Sequence, residues 1–148
     1  MKKSKNQRNG FTLIELLVVI AIIGLLSGMV VISVSEAKAK SRDAQRVSEI
    51  NNIATALALY HNDFNRYPTY TGRLTGTDAV SVTLLNAGLM SGIPLDPLNQ
   101  DNPAACDTDT NGYHYYYESV DGSDFYMGYC LETNSVHGKT KGVNSFIP

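Results

Sequence analysis

The sequence predicts an α+β fold: a long N-terminal α-helix, membrane-spanning in its first half, packed against a small antiparallel β-sheet head. Three observations predict it. Residues 16–35 carry no charge, and no proline occurs before Pro68. Beyond Ser35 the apolar residues fall on one face at helical spacing. From Tyr113 onward, tyrosine-rich runs alternate with Asp, Gly and Ser.

The helix comes first in the chain. A run of about 20 apolar residues is long enough to cross a bilayer. A secretory signal peptide has a shorter apolar core followed by a small-residue cleavage site. Ala37-Lys38-Ala39 could mimic such a site, but it lies in a charged stretch. Lys2, Lys3, Lys5 and Arg8 precede the run and hold the N-terminus on the cytoplasmic side. Lys38, Lys40 and Arg42 beyond it weaken that bias without reversing it. The helix continues because Val47, Ile50, Ile53, Leu57, Tyr60 and Phe64 recur in steps of three and four. Six alanines between Ala37 and Ala58 favour helix, and Glu36 and Lys40 form an i,i+4 pair. One helix over residues 11–62 would be about 75–80 Å long at 1.5 Å per residue. The chain divides accordingly into a leader (1–10), an apolar helix (11–35), its amphipathic continuation (36–64) and a sheet-rich head (65–148).

The head begins where "NDFNRYP" ends the helix, since Pro68 disfavours helix at Tyr67. A short helix is expected over 81–87, and the three prolines of 93–103 read as a loop. Residues 113–117 and 125–131 read as strands of a hairpin around Asp121-Gly122, a pair that suits a tight primed turn. The tail, with Gly138 and Gly142, ends weakly ordered or as a last edge strand. A head this small gains from a disulfide or a bound ion.

Charge and cysteine usage bound the function. The formal net charge is −2; without the four basic residues of 1–10 the balance is 8 minus 14, or −6. Eight acids and no Lys or Arg lie from Asp96 to Glu132. Such a domain is poorly suited to broad nucleic-acid binding and compatible with a cation. Cys106 and Cys130 behind a membrane-targeting segment read as one disulfide in an oxidising compartment, against the alternative of two buried thiols. Asp107, Asp109, Asn111 and Glu118, with Gly112, have the spacing of a calcium loop. Flanking helices are lacking, and the same residues make ordinary turns. His61, His114 and His137 show no metal spacing. There is no nucleophile elbow, phosphate loop or Cys-x-x-Cys, so nothing in the sequence marks an enzyme. The Tyr113–Tyr117 run could be a binding platform, though a half-buried strand accounts for it.

Glu15 stands among Leu13, Ile14, Leu16 and Leu17, where a charge is costly. Its plain reading is a carboxylate near the helix end that snorkels to the headgroups. The basic leader followed by Gly10-Phe11-Thr12-Leu13-Ile14-Glu15 and a long apolar helix resembles the N-terminus of type IV prepilins. That family includes type IV pilins and the pseudopilins of type II secretion and competence systems. The resemblance implies a pilin fold, cleavage after Gly10 by a prepilin peptidase, and N-methylation of Phe11. It implies that Glu15 pairs with the N-terminal amine of a neighbouring copy and fixes register. Gly24 and Gly28 become candidates for local helix flexibility on assembly; they also form a Gly-x-x-x-Gly contact motif. The partners implied are further copies and related pilins, the peptidase, a platform protein and an ATPase. The subunit would wait in the cytoplasmic membrane, single-pass with its N-terminus inside, and end in a surface or envelope-spanning filament. A type IV pilus subunit is the leading expectation, since the disulfide resembles the bonded loop of many pilins. The alternative is a pseudopilin of a type II secretion or competence system, some of which carry calcium in the head. A membrane-anchored binding module or hydrolase is the reading from another class.

Overall fold

A computed structural model describes residues 11–101, 106 and 112–148, with the side chains of 29–32 set aside. The chain forms two compact units, one up to Ala37 and one from Lys38 to Pro148. Helix α1 (Leu13–Phe64) contributes its first part to one unit and the remainder to the other. It begins two residues later than the sequence predicts, because Thr12 caps it, and ends two residues later, where Asn65 takes a left-handed φ of 54°. Asn65 N–H donates to the His61 carbonyl at 2.7 Å, so an asparagine closes the last turn.

From Leu13 onward the first unit is helix. Its apolar side chains are exposed all round, as at Leu13, Ile14, Leu17, Ile20 and Leu25. The helix is long and apolar enough to cross a membrane.

In the second unit α1 meets a helix, α2 (Ala79–Asn86), and four strands: β1 (Tyr70–Arg73), β2 (Tyr116–Ser119), β3 (Tyr126–Leu131) and β4 (Gly142–Phe146). The strands form an antiparallel sheet in the order β1-β2-β3-β4. Ile50, Ile53, Leu57 and Tyr60 of the anticipated stripe are buried with Tyr115, Tyr117, Met127, Tyr129 and Leu131. Phe64 departs from the stripe: it is half exposed and stacks on Tyr60 at 4.3 Å. Tyr117 satisfies its buried hydroxyl by donating to the Pro68 carbonyl at 2.8 Å.

Three local expectations need correction. α2 starts at Ala79 rather than residue 81, because the Asp78 carboxylate accepts the Ser81 N–H at 2.9 Å and caps it there. β2 starts at Tyr116 rather than 113; Tyr113 instead makes an isolated bridge with Gln100. The β2–β3 connection is six residues long, 120–125, not a tight primed turn. Ser119 Oγ closes it by donating to the Asp124 carbonyl at 2.6 Å. Gly122 is still required, with φ +81° and a Cβ that would lie 2.9 Å from the Tyr67 carbonyl oxygen. Tyr67 N–H donates to the Gly122 carbonyl at 2.8 Å, so the loop is pinned to the segment leaving α1. The polar strand β1 was not foreseen, whereas β4 realises the edge-strand alternative for the tail.

Candidate functional site

The N-terminal end of α1 is organised by Thr12 and Glu15. Glu15 Oε2 accepts the Thr12 backbone N–H at 2.8 Å and the Thr12 hydroxyl at 2.6 Å. The Glu15 N–H donates back to Thr12 Oγ1 at 3.3 Å. This is a capping box, and the spacing Thr12-x-x-Glu15 is its sequence signature. That local task is one the sequence reading passed over. Both accepted bonds fall on one oxygen, which leaves Oε1 without a hydrogen bond among the described residues. Phe11, just before the cap, is largely exposed. Gly10 lies outside the described residues.

α1 runs unbroken through Gly24 and Gly28. A Cβ at either position would meet nothing within 4 Å. Among the described residues no packing therefore requires glycine there, although each costs about 0.8–1.0 kcal/mol in a helix relative to Ala. Ser27, between them, returns its hydroxyl to the Ile23 carbonyl at 2.7 Å.

The head is held to its part of α1 by an ion cluster. Arg46 is fully buried and forks onto Asp96, Nε to Oδ2 at 2.6 Å and Nη2 to Oδ1 at 3.0 Å. Its Nη1 donates to Asp43 at 2.8 Å and to Glu132 at 2.7 Å. Arg42 adds a second guanidinium on Glu132. Asp43 also accepts the N–H groups of Glu132 and Thr133, each at 2.8 Å. Burial alone would lower the affinity of Arg46 for its proton; the bonds to Asp96 and Glu132 outweigh it and keep the guanidinium charged. Burial would likewise raise the Glu132 carboxyl, but the Arg42 and Arg46 bonds bring it below its ordinary value. Thus α1, the proline-rich loop and the end of β3 share one clamp. Two of the eight acids from Asp96 to Glu132 are neutralised in it by helix arginines. The spacing Arg42-Asp43-x-x-Arg46 was the available signal.

Cys106 and Cys130 are joined in a disulfide, Cα–Cα 5.9 Å, as expected from the compartment. The bond packs with Tyr113, whose ring lies under the Arg46 guanidinium at 4.8 Å. Of the candidate calcium ligands, Asp107, Asp109 and Asn111 lie outside the described residues. Glu118 sits in β2 opposite Thr71 and Tyr126, in register positions that alternate with the buried Tyr117. Among the described residues no group of three His, Cys, Asp or Glu side chains is placed to hold a metal ion. His61 lies against the Tyr67 ring, tilted at 30° with centroids 4.6 Å apart, and His114 bridges Asn99 and Asp101 at 3.1 and 3.0 Å.

A capped apolar helix in one unit and a helix-on-sheet head in the other define the architecture of a pilin-type structural subunit. Residues 5–31 match the family model described as the prokaryotic N-terminal methylation motif. The chain is 33% identical over 105 residues to the type II secretion system core protein G of Escherichia coli K12, covering 67% of this chain and 72% of that one. With the corresponding protein of Vibrio cholerae the identity is 32% over 106 residues, covering 68% and 72%. With that of Aeromonas hydrophila it is 43% over 65 residues, covering 44% of this chain and 46% of the relative, so there the match spans about half the relative's length. The chain belongs to the type IV pilin and pseudopilin family, whose members are structural subunits and not enzymes. No solved structure matches it.

Proposed function

We propose that this chain is the filament subunit of a type II secretion-type system, the counterpart of the core protein G relatives. The observation that carries this is the reach of the Escherichia coli match, 105 residues and 72% of that protein, beyond the N-terminal motif and into the head. In this reading the leader is cut after Gly10, Phe11 is N-methylated, and Glu15 meets the amine of a neighbouring copy. The basic leader keeps the N-terminus inside the cytoplasmic membrane until assembly, which needs a prepilin peptidase, a platform protein and an ATPase. Glycines at 24 and 28 that no contact among the described residues demands fit a role against a neighbouring helix. The Asp107, Asp109, Asn111 loop remains a calcium candidate.

A type IV pilus subunit is the second reading, favoured by the Cys106–Cys130 bond near the end of the chain. Deleting the gene separates the two: loss of protein export with unchanged surface fibres supports the secretion subunit. Loss of a surface fibre with export intact overturns it in favour of the pilus.

A further inference from the structure

The cap at the start of α1 fixes where the helix begins, and the bond that processing would cut lies just ahead of it. The ladder of α1 opens with the Leu16 N–H donating to the Thr12 carbonyl at 3.3 Å. The Glu15 N–H, which a longer helix would give to the Phe11 carbonyl, goes to Thr12 Oγ1 at 3.3 Å instead. The Thr12 N–H in turn donates to Glu15 Oε2 at 2.8 Å. Phe11 stands outside the helix and is 85% exposed.

Cutting after Gly10 adds water across one peptide bond. The hydroxyl ends on the Gly10 carbonyl carbon, the bond to the Phe11 nitrogen breaks, and the proton ends on the new amine. As charge develops on the carbonyl oxygen, it has to take donors from the peptidase. Inside a helix that oxygen would already be taken by the Ile14 N–H, four residues on.

The sequence supplies a rival helix start. Asn9 is of a type that caps at least as well as threonine, and a helix begun there would hold Gly10 and Phe11 in its first turn. An apolar setting favours that shift once position 12 stops capping. Open N–H groups at a helix start are costly in lipid, and an earlier start moves them outward. Gly10 and Arg8 oppose it only in part, since glycine is a poor helix residue and a cation sits badly at a helix N-terminus. We propose that Thr12 is a positioning residue for processing: its cap stops α1 short of the Gly10–Phe11 bond and presents that bond to the peptidase as non-helical chain. This role rests on the processing reading above. It gives Thr12 a task before assembly, separate from that of the Glu15 charge.

The test uses the full-length precursor in detergent micelles with its prepilin peptidase, the products read by mass spectrometry. Thr12→Val keeps the shape of the side chain and removes the capping oxygen. Thr12→Ser and Thr12→Asn change the shape and keep an acceptor. Thr12→Val is expected to raise KM about fivefold with kcat little changed, because a smaller fraction of the precursor is competent to bind. Thr12→Ser and Thr12→Asn should be cut like the unaltered chain. Leu13→Pro added to Thr12→Val should restore cutting, since proline at the first helical position keeps the residue before it out of the helix. The carbon-13 shifts of Phe11 should turn helical in Thr12→Val alone. Normal cutting of Thr12→Val, a loss in kcat instead of KM, or Ser and Asn variants as slow as Val overturns the role of the cap and leaves the processing reading intact. So does a Phe11 that stays non-helical in Thr12→Val, or a Leu13→Pro change that restores nothing. An unaltered chain that is not cut between Gly10 and Phe11 overturns both.

Discussion

Replacing Arg46 by Met removes the hub of the head's ion cluster and keeps most of its volume. Arg46 is fully buried and bonded to three carboxylates. Breaking one side of a buried pair costs about 3–5 kcal/mol, because the remaining charge is left without its partner. Here the carboxylates keep other donors: Asp43 the Glu132 and Thr133 N–H groups, Asp96 the Leu98 N–H, and Glu132 the Arg42 guanidinium. The lower limit, about 3 kcal/mol, is therefore expected. At about 4 °C per kcal/mol for a unit of this size, Tm falls by about 12 °C. The assay is thermal melting of the full chain in detergent micelles, followed in the near ultraviolet, where nine tyrosines and no tryptophan report. A pH series sharpens it. In the unaltered protein Glu132 is held below its ordinary value, so its contribution is complete above that value and fades as acid carries the pH through the lowered one. In Arg46→Met the Glu132 carboxylate keeps only the Arg42 guanidinium, so less of its stabilisation is there for acid to remove. The Tm gap should then be widest near neutrality and narrow toward about pH 4. A gap under about 4 °C at pH 7, or one that does not change with pH, would refute the clamp as the head's anchor.

Gly10→Val should leave the precursor uncut, because a branched side chain crowds the scissile carbonyl; a mass spectrum showing a mature Phe11 terminus would contradict this. Glu15→Gln keeps an oxygen for the Thr12 cap while removing the charge, whereas Glu15→Val removes both. If pairing with a neighbour's amine matters, both lose filaments with helix content unchanged, and normal filaments from Glu15→Gln would reduce Glu15 to a cap. Reducing Cys106–Cys130, a sequence separation of 24, should cost about 3–3.5 kcal/mol in the chain-entropy model; an unchanged melting point after complete reduction counts against it. Calcium should raise Tm at about 10⁻⁴–10⁻³ M, as extracellular modules bind, and Asp109→Ala should abolish the shift. No heat by calorimetry at millimolar calcium returns the Asp107–Asn111 loop to a solvated turn.

What the sequence disclosed follows from how local each signal is. The stripe from Val47 to Tyr60 was readable because helical periodicity repeats over several turns. The disulfide was readable from compartment and number alone, since two cysteines allow one intrachain pairing. The Arg46 clamp was not, because its partners Asp96 and Glu132 are 50 and 86 positions away. Strand β1 stayed hidden for a similar reason: "YTGR" lacks an apolar alternation of its own and becomes a strand by pairing with β2. Asp121-Gly122 does mark a chain reversal, but the glycine answers to Tyr67. The glycine is needed for its left-handed φ and for the Tyr67 contact, not for a two-residue turn. Thr12-x-x-Glu15 is a fully local signal, legible in the sequence as a capping box.

The two accounts of Glu15, as a cap and as partner to a neighbour's amine, support each other. A helix N-terminus carries about half a positive charge from its unpaired N–H groups. Cleavage after Gly10 would add a full amine charge at Phe11, one residue before the cap. A carboxylate folded back onto Thr12 offsets much of that positive charge within the same turn. On that reading a subunit held in lipid would present a nearly balanced end, and the cost of holding Glu15 in an apolar run would fall accordingly. The cap engages Oε2 alone, so the other oxygen can accept a neighbour's amine without the helix start coming undone. Assembly would then add a charge-assisted hydrogen bond to a carboxylate already oriented by its own chain, and little side-chain entropy remains to be lost at that step. On the filament reading proposed above, threonine at 12 and glutamate at 15 would belong to one device, in which the local cap prepares the carboxylate for the partner.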